Sequence, residues 1–188
     1  GCTGCRVTEI LLNDRVEEDQ IEPAIDAFYD GGFVAAWIGD LECASGKGVF
    51  VRCFDEDGVP RGPATIIDRM TGEVTRVNVA SATDGRFAVA WVVGEGVYMQ
   101  RFDEACLMSA RTVFVGTEEE TDKGAPGIRY TPSGDFRLVW REGNWNDTAT
   151  DPDHCIDSML VDRDTAEQGV PTSLYCTYDA IRYPKLAV

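Results

Sequence analysis

Histidine is almost missing from this chain: His154 is the only one among 188 residues. A Ser-His-Asp triad or a multi-histidine metal centre therefore has almost no material to work with. His154, within Asp153-His154-Cys155, reads as a loop residue. Basic side chains are scarce as well. Seventeen Lys and Arg stand against 33 Asp and Glu, a net charge of −16. That balance repels phosphate backbones and anionic lipid surfaces, so nucleic acid is not an expected partner. No apolar run approaches the roughly 20 residues a membrane-spanning helix needs, and no membrane insertion is expected. No stretch combines a helical period with caps, so helix should be scarce. No glycine-rich phosphate loop occurs, because the glycines punctuate turns instead. The chain begins at Gly1 rather than Met, which reads as a processed product or as a piece of something longer.

What the chain does hold is repetition. Asp30-Gly31-Gly32-Phe33-Val34-Ala35-Ala36-Trp37 returns as Asp84-Gly85-Arg86-Phe87-Ala88-Val89-Ala90-Trp91. A looser copy is Ser133-Gly134-Asp135-Phe136-Arg137-Leu138-Val139-Trp140. Each opens with a tight-turn pair and runs into an apolar strand ending in Trp. Trp37 and Trp91 are 54 residues apart, and Trp91 and Trp140 are 49 apart. Self-similarity at roughly 40–50 residues marks propellers and related arrays. Each unit divides into four short strands, A to D, by alternation and turn residues. Strand A falls at 23–28, 77–82 and 126–131, and B at 33–38, 87–93 and 136–140. Strand C falls at 48–54, 96–103 and 156–162, and D at 64–67, 111–115 and 172–176.

The expected fold is therefore all-β: three four-stranded antiparallel propeller-like blades, with an extra strand at each end. The units span about 23–70, 74–116 and 126–176, and the terminal strands 6–13 and 183–188. A four-stranded sheet cannot bury both of its faces alone, which is why such repeats come in arrays. Phe33, Trp37, Phe87, Trp91, Phe136 and Trp140 are expected to fill the spaces between sheets.

The paired phrases, Asp30–Trp37 with Gly48–Gly58 and Asp84–Trp91 with Gly96–Asp103, resemble the propeller-type repeats of secreted bacterial proteins. The resemblance covers residues 23 to about 115 well and 126 to 162 weakly. It implies an extracellular location and a binding or scaffold role. It carries no catalytic motif, and fold alone does not fix function.

Cysteine is plentiful: Cys2, Cys5, Cys43, Cys53, Cys106, Cys155 and Cys176. The only close pair, Cys2 and Cys5, has neither a second such pair nor a following His, so zinc and covalent haem are poorly supported. Scattered cysteines in a strand-rich chain read as disulfides of a secreted protein, and the odd count leaves one free or paired between chains. Bridges are expected within the Cys43/Cys53 region and the Cys155/Cys176 region, where antiparallel neighbours can reach the roughly 5.5–6 Å Cα separation required.

The most unusual stretch is the insertion from Glu142 to Asp153, which lengthens the third B–C connection. Trp145 with Asn144 and Asn146 suits stacking and hydrogen bonding to a sugar. Asp147, Asp151 and Asp153 offer closely spaced oxygens of the kind Ca²⁺ takes, though without the EF-hand pattern. Asn146-Asp147-Thr148 is a glycosylation triplet. No catalytic residue can be named, and no cofactor other than Ca²⁺ is suggested. Two function classes follow. One is a non-enzymatic extracellular assembly protein whose ends join copies head to tail, as a filament rather than a ring. The other is a secreted carbohydrate-binding or carbohydrate-acting propeller, or a fragment of a longer one.

Overall fold

The computed structural model describes residues 9–14, 19–41, 46–68, 74–94, 96–115, 122–143, 154–164 and 169–177. Among them are twelve strands and no helix. The first sheet holds β1 (Gln20–Ala27), β2 (Phe33–Asp40), β3 (Lys47–Phe54) and β4 (Thr65–Asp68) in that spatial order. The second holds β5 (Val74–Ser81), β6 (Phe87–Val93), β7 (Gly96–Phe102) and β8 (Val113–Val115). The third holds β9 (Asp122–Tyr130), β10 (Phe136–Gly143), β11 (His154–Val161) and β12 (Thr172–Thr177). Every pairing is antiparallel and joins chain neighbours, so each sheet is a meander.

The turns repeat with the strands. Between the first and second strands of each sheet, the same backbone bond closes the turn. Phe28 N donates to Gly32 O at 2.8 Å, Ala82 N to Arg86 O at 2.6 Å and Thr131 N to Asp135 O at 2.8 Å. Gly31, Gly85 and Gly134 sit there at φ of 90°, 86° and 102°, where a Cβ would be strained. Between the third and fourth strands, a carboxylate organises the turn. Asp55 Oδ1 accepts from the backbone N of Asp57 and Val59. Asp103 Oδ1 accepts from Ala105 and Leu107, and Asp162 Oδ1 from Asp164. Aspartate suits this position because its short side chain caps N–H groups a few residues on.

The sheets stack by unequal faces. Side chains alternate across a strand, so β2 directs Val34, Ala36 and Ile38 to one side and Phe33, Ala35 and Trp37 to the other. The Val34, Ala36, Ile38 side meets Phe87, Val89 and Trp91 of β6 in one buried cluster. The opposite side of β6, Ala88, Ala90 and Val92, meets Phe136, Leu138 and Trp140 of β10 in a second. A small face thus receives a bulky one at both junctions. The stack converges along the first strands: β5 lies against β1 and β2, and β9 against β5 and β6. Each fully buried ring contributes roughly 1.5–3 kcal/mol.

Four of the six repeated aromatics fill junctions as expected; Phe33 and Trp37 do not. They lie on the outward face of the first sheet with Ala35, Phe50 and Phe54, covered by Leu12 and Ala64. The reason is positional, because no described sheet precedes the first. A short strap covers this face instead. Arg52 Nη1 donates to Leu12 O at 3.1 Å and pairs with Asp14 at 2.6 Å. Asp14 Oδ2 also accepts from Ala64 N at 3.0 Å. The expected strand at 6–13 is corrected accordingly: residues 9–13 carry no strand. The Leu12 carbonyl and the neighbouring Asp14 carboxylate tie the stretch to the sheet without a ladder. The expected strand at 183–188 lies outside the described residues.

Trp91→Ala and Trp140→Ala should each cost about 3–5 kcal/mol of unfolding free energy. Trp37→Ala should cost clearly less, because a strap rather than a sheet covers it. Denaturant titration of the three variants checks this. An equal loss at Trp37 would show that the strap buries its face as fully as a neighbouring sheet does.

Candidate functional site

The sheets have two chemically different ends. At the turn end, where first strands lead to second and third to fourth, the junctions are latched. Cys53, near the end of β3, forms a disulfide with Cys106 in the turn after β7. Cys106 occupies the turn position that Gly58 holds in the first unit, and like Gly58 it has positive φ, 65° against 77°. At the next junction the residue matching Cys53 is Arg101, which pairs with Ala88 as Cys53 pairs with Val34. Arg101 is 4% exposed, and its Nη1 donates to the carbonyls of Asp162 and Arg163 at 3.1 and 2.6 Å. Burial pushes its pKa down. One slot therefore holds a covalent latch at the first junction and a buried guanidinium at the second.

The expected bridge within the Cys43/Cys53 region is corrected by this geometry. The connection carrying Cys43 enters β3 at Lys47, and Cys53 lies about six residues along the strand, roughly 20 Å away. Cys53 also faces the second sheet, so its partner comes from there. Cys43, Cys2 and Cys5 lie outside the described residues. The other expected bridge is present: Cys155 and Cys176 sit directly across β11 and β12 and are joined. Two disulfides fit an oxidising, non-cytoplasmic setting. No helix among the described residues is long and apolar enough to cross a membrane.

Ion pairs reinforce the same end. Arg86 pairs with Asp84 of its own turn at 2.7 Å and with Asp164 of the third sheet's turn. Arg163 bonds Asp84 at 3.2 Å and the Tyr130 hydroxyl at 2.6 Å. The hydrogen bond from Arg86 holds the Asp84 carboxyl below its usual range. Asp30 is held down too, first by the Gly32 N–H and then by Arg61.

The opposite end, where second strands lead to third, is arranged differently. In β1, Glu22 and Pro23 together face the single residue Trp37 across a bulge between Ile21 and Ala24. Glu22 there adopts φ of 51°, an uncommon conformation for a side-chain-bearing residue. Its carboxylate meets Arg76 of β5 at 2.7 Å, with both side chains about one-third exposed. Pro23 is tolerated because β1 is an edge strand. β9 carries a comparable bulge opposite Trp140, where the Pro126 carbonyl accepts from Asn78 Nδ2 at 3.2 Å. Nearby, Asp68 accepts from Trp91 Nε1 at 2.6 Å, and Lys47 bridges Asp40 and Asp19. In the third sheet, buried Glu142 accepts from Trp140 Nε1 at 3.2 Å.

The sequence-predicted ligand residues Asn144, Trp145 and Asn146, and the predicted Ca²⁺ ligands Asp147, Asp151 and Asp153, all lie outside the described residues. The connection that carries them leaves β10 and enters β11 at this second end. Among the described residues, no group of three or more His, Cys, Asp or Glu is placed to hold a metal ion. Sequence reasoning missed Glu22, Arg76 and Arg101. The one available signal was Pro23, whose missing N–H suits a bulge or an edge.

No protein-family model and no curated protein matches the chain. Solved structures do resemble it. A glycosyl hydrolase from Bacteroides ovatus aligns at 13% identity over 81% of this chain and 51% of its own, with a TM-score of 0.46. A thermostable family-43 glycoside hydrolase aligns at 10% identity over 79% of this chain and 52% of its own, with a TM-score of 0.49. The chain spans about half the length of these structures. Its fold class rests on its own sheets: all-β, with three four-stranded antiparallel propeller-like blades.

The lowered pKa of Asp84 gives a pH dependence of definite sign. A carboxyl held below its unfolded value of about 3.9 stabilises the fold above that value and stops doing so as pH falls through the folded value. Asp84→Asn should therefore be less stable than the native chain at neutral pH. The gap should close under acid, and it should shrink in high salt because the pair is partly exposed. Thermal unfolding across pH 2–7 measures both. A gap that persists unchanged at the acid limit would point to packing rather than charge.

Proposed function

We propose that these three blades belong to an extracellular β-propeller that binds carbohydrate, or acts on it, at the end where second strands lead to third. The contrast between the two ends carries this reading. At the turn end, Asp30, Asp55, Asp84, Asp103 and Asp162 are engaged by backbone N–H groups and arginines, and together they build a frame. At the other end, Glu22 stands partly exposed in left-handed backbone, paired with Arg76 across a junction. Cys106 at the turn end shares that left-handed backbone but is locked in a disulfide, whereas Glu22 keeps an ionisable carboxylate there.

Polar ligand sites combine a few placed charged groups with aromatic surface. Glu22 and Arg76 supply the first. In sequence, the connection at 144–153 supplies the second, with Trp145 for stacking and Asn144 and Asn146 for hydroxyl groups. Asp147, Asp151 and Asp153 are assigned to a Ca²⁺ that would brace the same connection. An extracellular location agrees with the disulfides and with the acidic surface.

Binding to a panel of soluble oligosaccharides and polysaccharides tests the proposal, and hydrolysis of the same panel separates acting from binding. Trp145→Ala should weaken binding at least about tenfold, or roughly 1.4 kcal/mol, without lowering the melting temperature. Glu22→Gln should weaken it in the same direction, and a calcium chelator should do so if the three aspartates hold the ion. Failure of every glycan to bind, or unchanged affinity in Trp145→Ala, would end this reading.

A further inference from the structure

Two first strands carry the same irregularity. In β1, Glu22 and Pro23 lie opposite Trp37, and in β9, Ala125 and Pro126 lie opposite Trp140. A bulge of this form accommodates alanine ahead of its proline, so the fold does not call for a carboxylate at position 22. Glu22 nevertheless stands there at φ of 51°, in backbone that a residue with a side chain seldom adopts. Arg76 Nη1 donates to Glu22 Oε1 at 2.7 Å and fixes the direction of the carboxylate. Among the described residues, no donor other than Arg76 reaches Glu22, and its side chain is 35% exposed. The second oxygen, Oε2, is therefore an acceptor held in place and left for a donor from outside the described chain.

We propose that Glu22 sets the charge class of the glycan: it selects an uncharged sugar, whose hydroxyl donates to Oε2, and rejects sugars that carry carboxylate or sulfate. The inference rests on the carbohydrate reading above and adds to it which glycans the site takes. A carboxylate accepts hydrogen bonds and has none to give, so its ligand must bring the proton. A uronate or sulfate oxygen in the same place would be a second acceptor of like charge, an arrangement that interfaces use to exclude wrong partners. Cations at this end are already engaged and do not offset the repulsion. Arg76 is paired with Glu22 itself, and Lys47 lies 3.0 Å from Asp40 and 3.9 Å from Asp19. The net charge of −16 acts in the same direction at longer range.

The test compares each uncharged glycan that binds the full chain with its uronate-bearing counterpart. The native chain should prefer the uncharged form by about tenfold or more. Glu22→Gln should narrow that ratio to roughly twofold, since the amide keeps the shape, removes the charge and can itself donate. Asp57→Asn makes the same change of net charge at the exposed turn after β3, and it should leave the ratio as it is. Melting temperatures of both variants should match the native value, which separates a change of selectivity from a loss of structure. High salt should shrink the long-range part of the preference and leave the Glu22-dependent part standing. Equal binding of the two forms by the native chain would overturn the proposal, as would binding of acidic glycans alone. So would a Glu22→Gln variant that weakens both forms equally, because Glu22 would then support the site without choosing its ligand. These results leave the carbohydrate reading intact, whereas binding of no glycan at all ends both.

Discussion

The packing of small side chains against bulky ones across each junction is the contact on which the rest of the molecule depends. A four-stranded sheet has two apolar faces and can cover neither by itself. Phe87 and Trp91 share one buried cluster with Val34, Ala36 and Ile38, and Phe136 and Trp140 another with Ala88, Ala90 and Val92. The close approach is possible because one partner is always small. Convergence of the first strands follows from it, as do the burial of Arg101 and the reach of Cys53 to Cys106. The bond from Trp91 to Asp68 also exists only because the sheets lie this close.

The junctions share a geometry but not a chemistry. At the first, a disulfide closes the outer edge of the contact and a Glu22–Arg76 pair closes the inner edge. At the second, Arg101 caps two turn carbonyls while Arg86 and Arg163 tie the turns together. The repeat specifies where sheets meet and leaves the fastening to local side chains. Most of the fastening gathers at the turn end, and the Glu22–Arg76 pair fastens the other.

Much of the architecture was legible in the sequence because turn residues and alternation are local signals. The strand Phe87–Val93 was read with both its boundaries, since a turn glycine precedes it and Gly94 follows. Strand A was read too short at Pro23. The bulge there admits the proline, and β1 starts at Gln20. What escaped were relations between units. Trp37 looks identical to Trp91 in the repeated phrase, and only the absence of a described preceding sheet distinguishes them. The partner of Cys53 depended on which face of β3 it occupies, which alternation alone cannot assign. Glu22 gave no sign of its left-handed backbone, because its neighbours read as ordinary polar spacing.

The meander bears on how the chain matures. Each sheet pairs only with its own consecutive segments, so the first can form as soon as Asp68 is available, before the second exists. Sheets built from local pairings assemble quickly. Cys53, however, belongs to the first sheet and its partner Cys106 to the second, 53 residues further on. For a chain that emerges amino end first, Cys2, Cys5 and Cys43 all become available before Cys106 does. Oxidation that outruns synthesis would join Cys53 to one of these, and thiol–disulfide exchange would then be needed to undo the error. Maturation is thus a race between an oxidant and the arrival of a single turn, and stacking of the second sheet over Cys53 is what closes it.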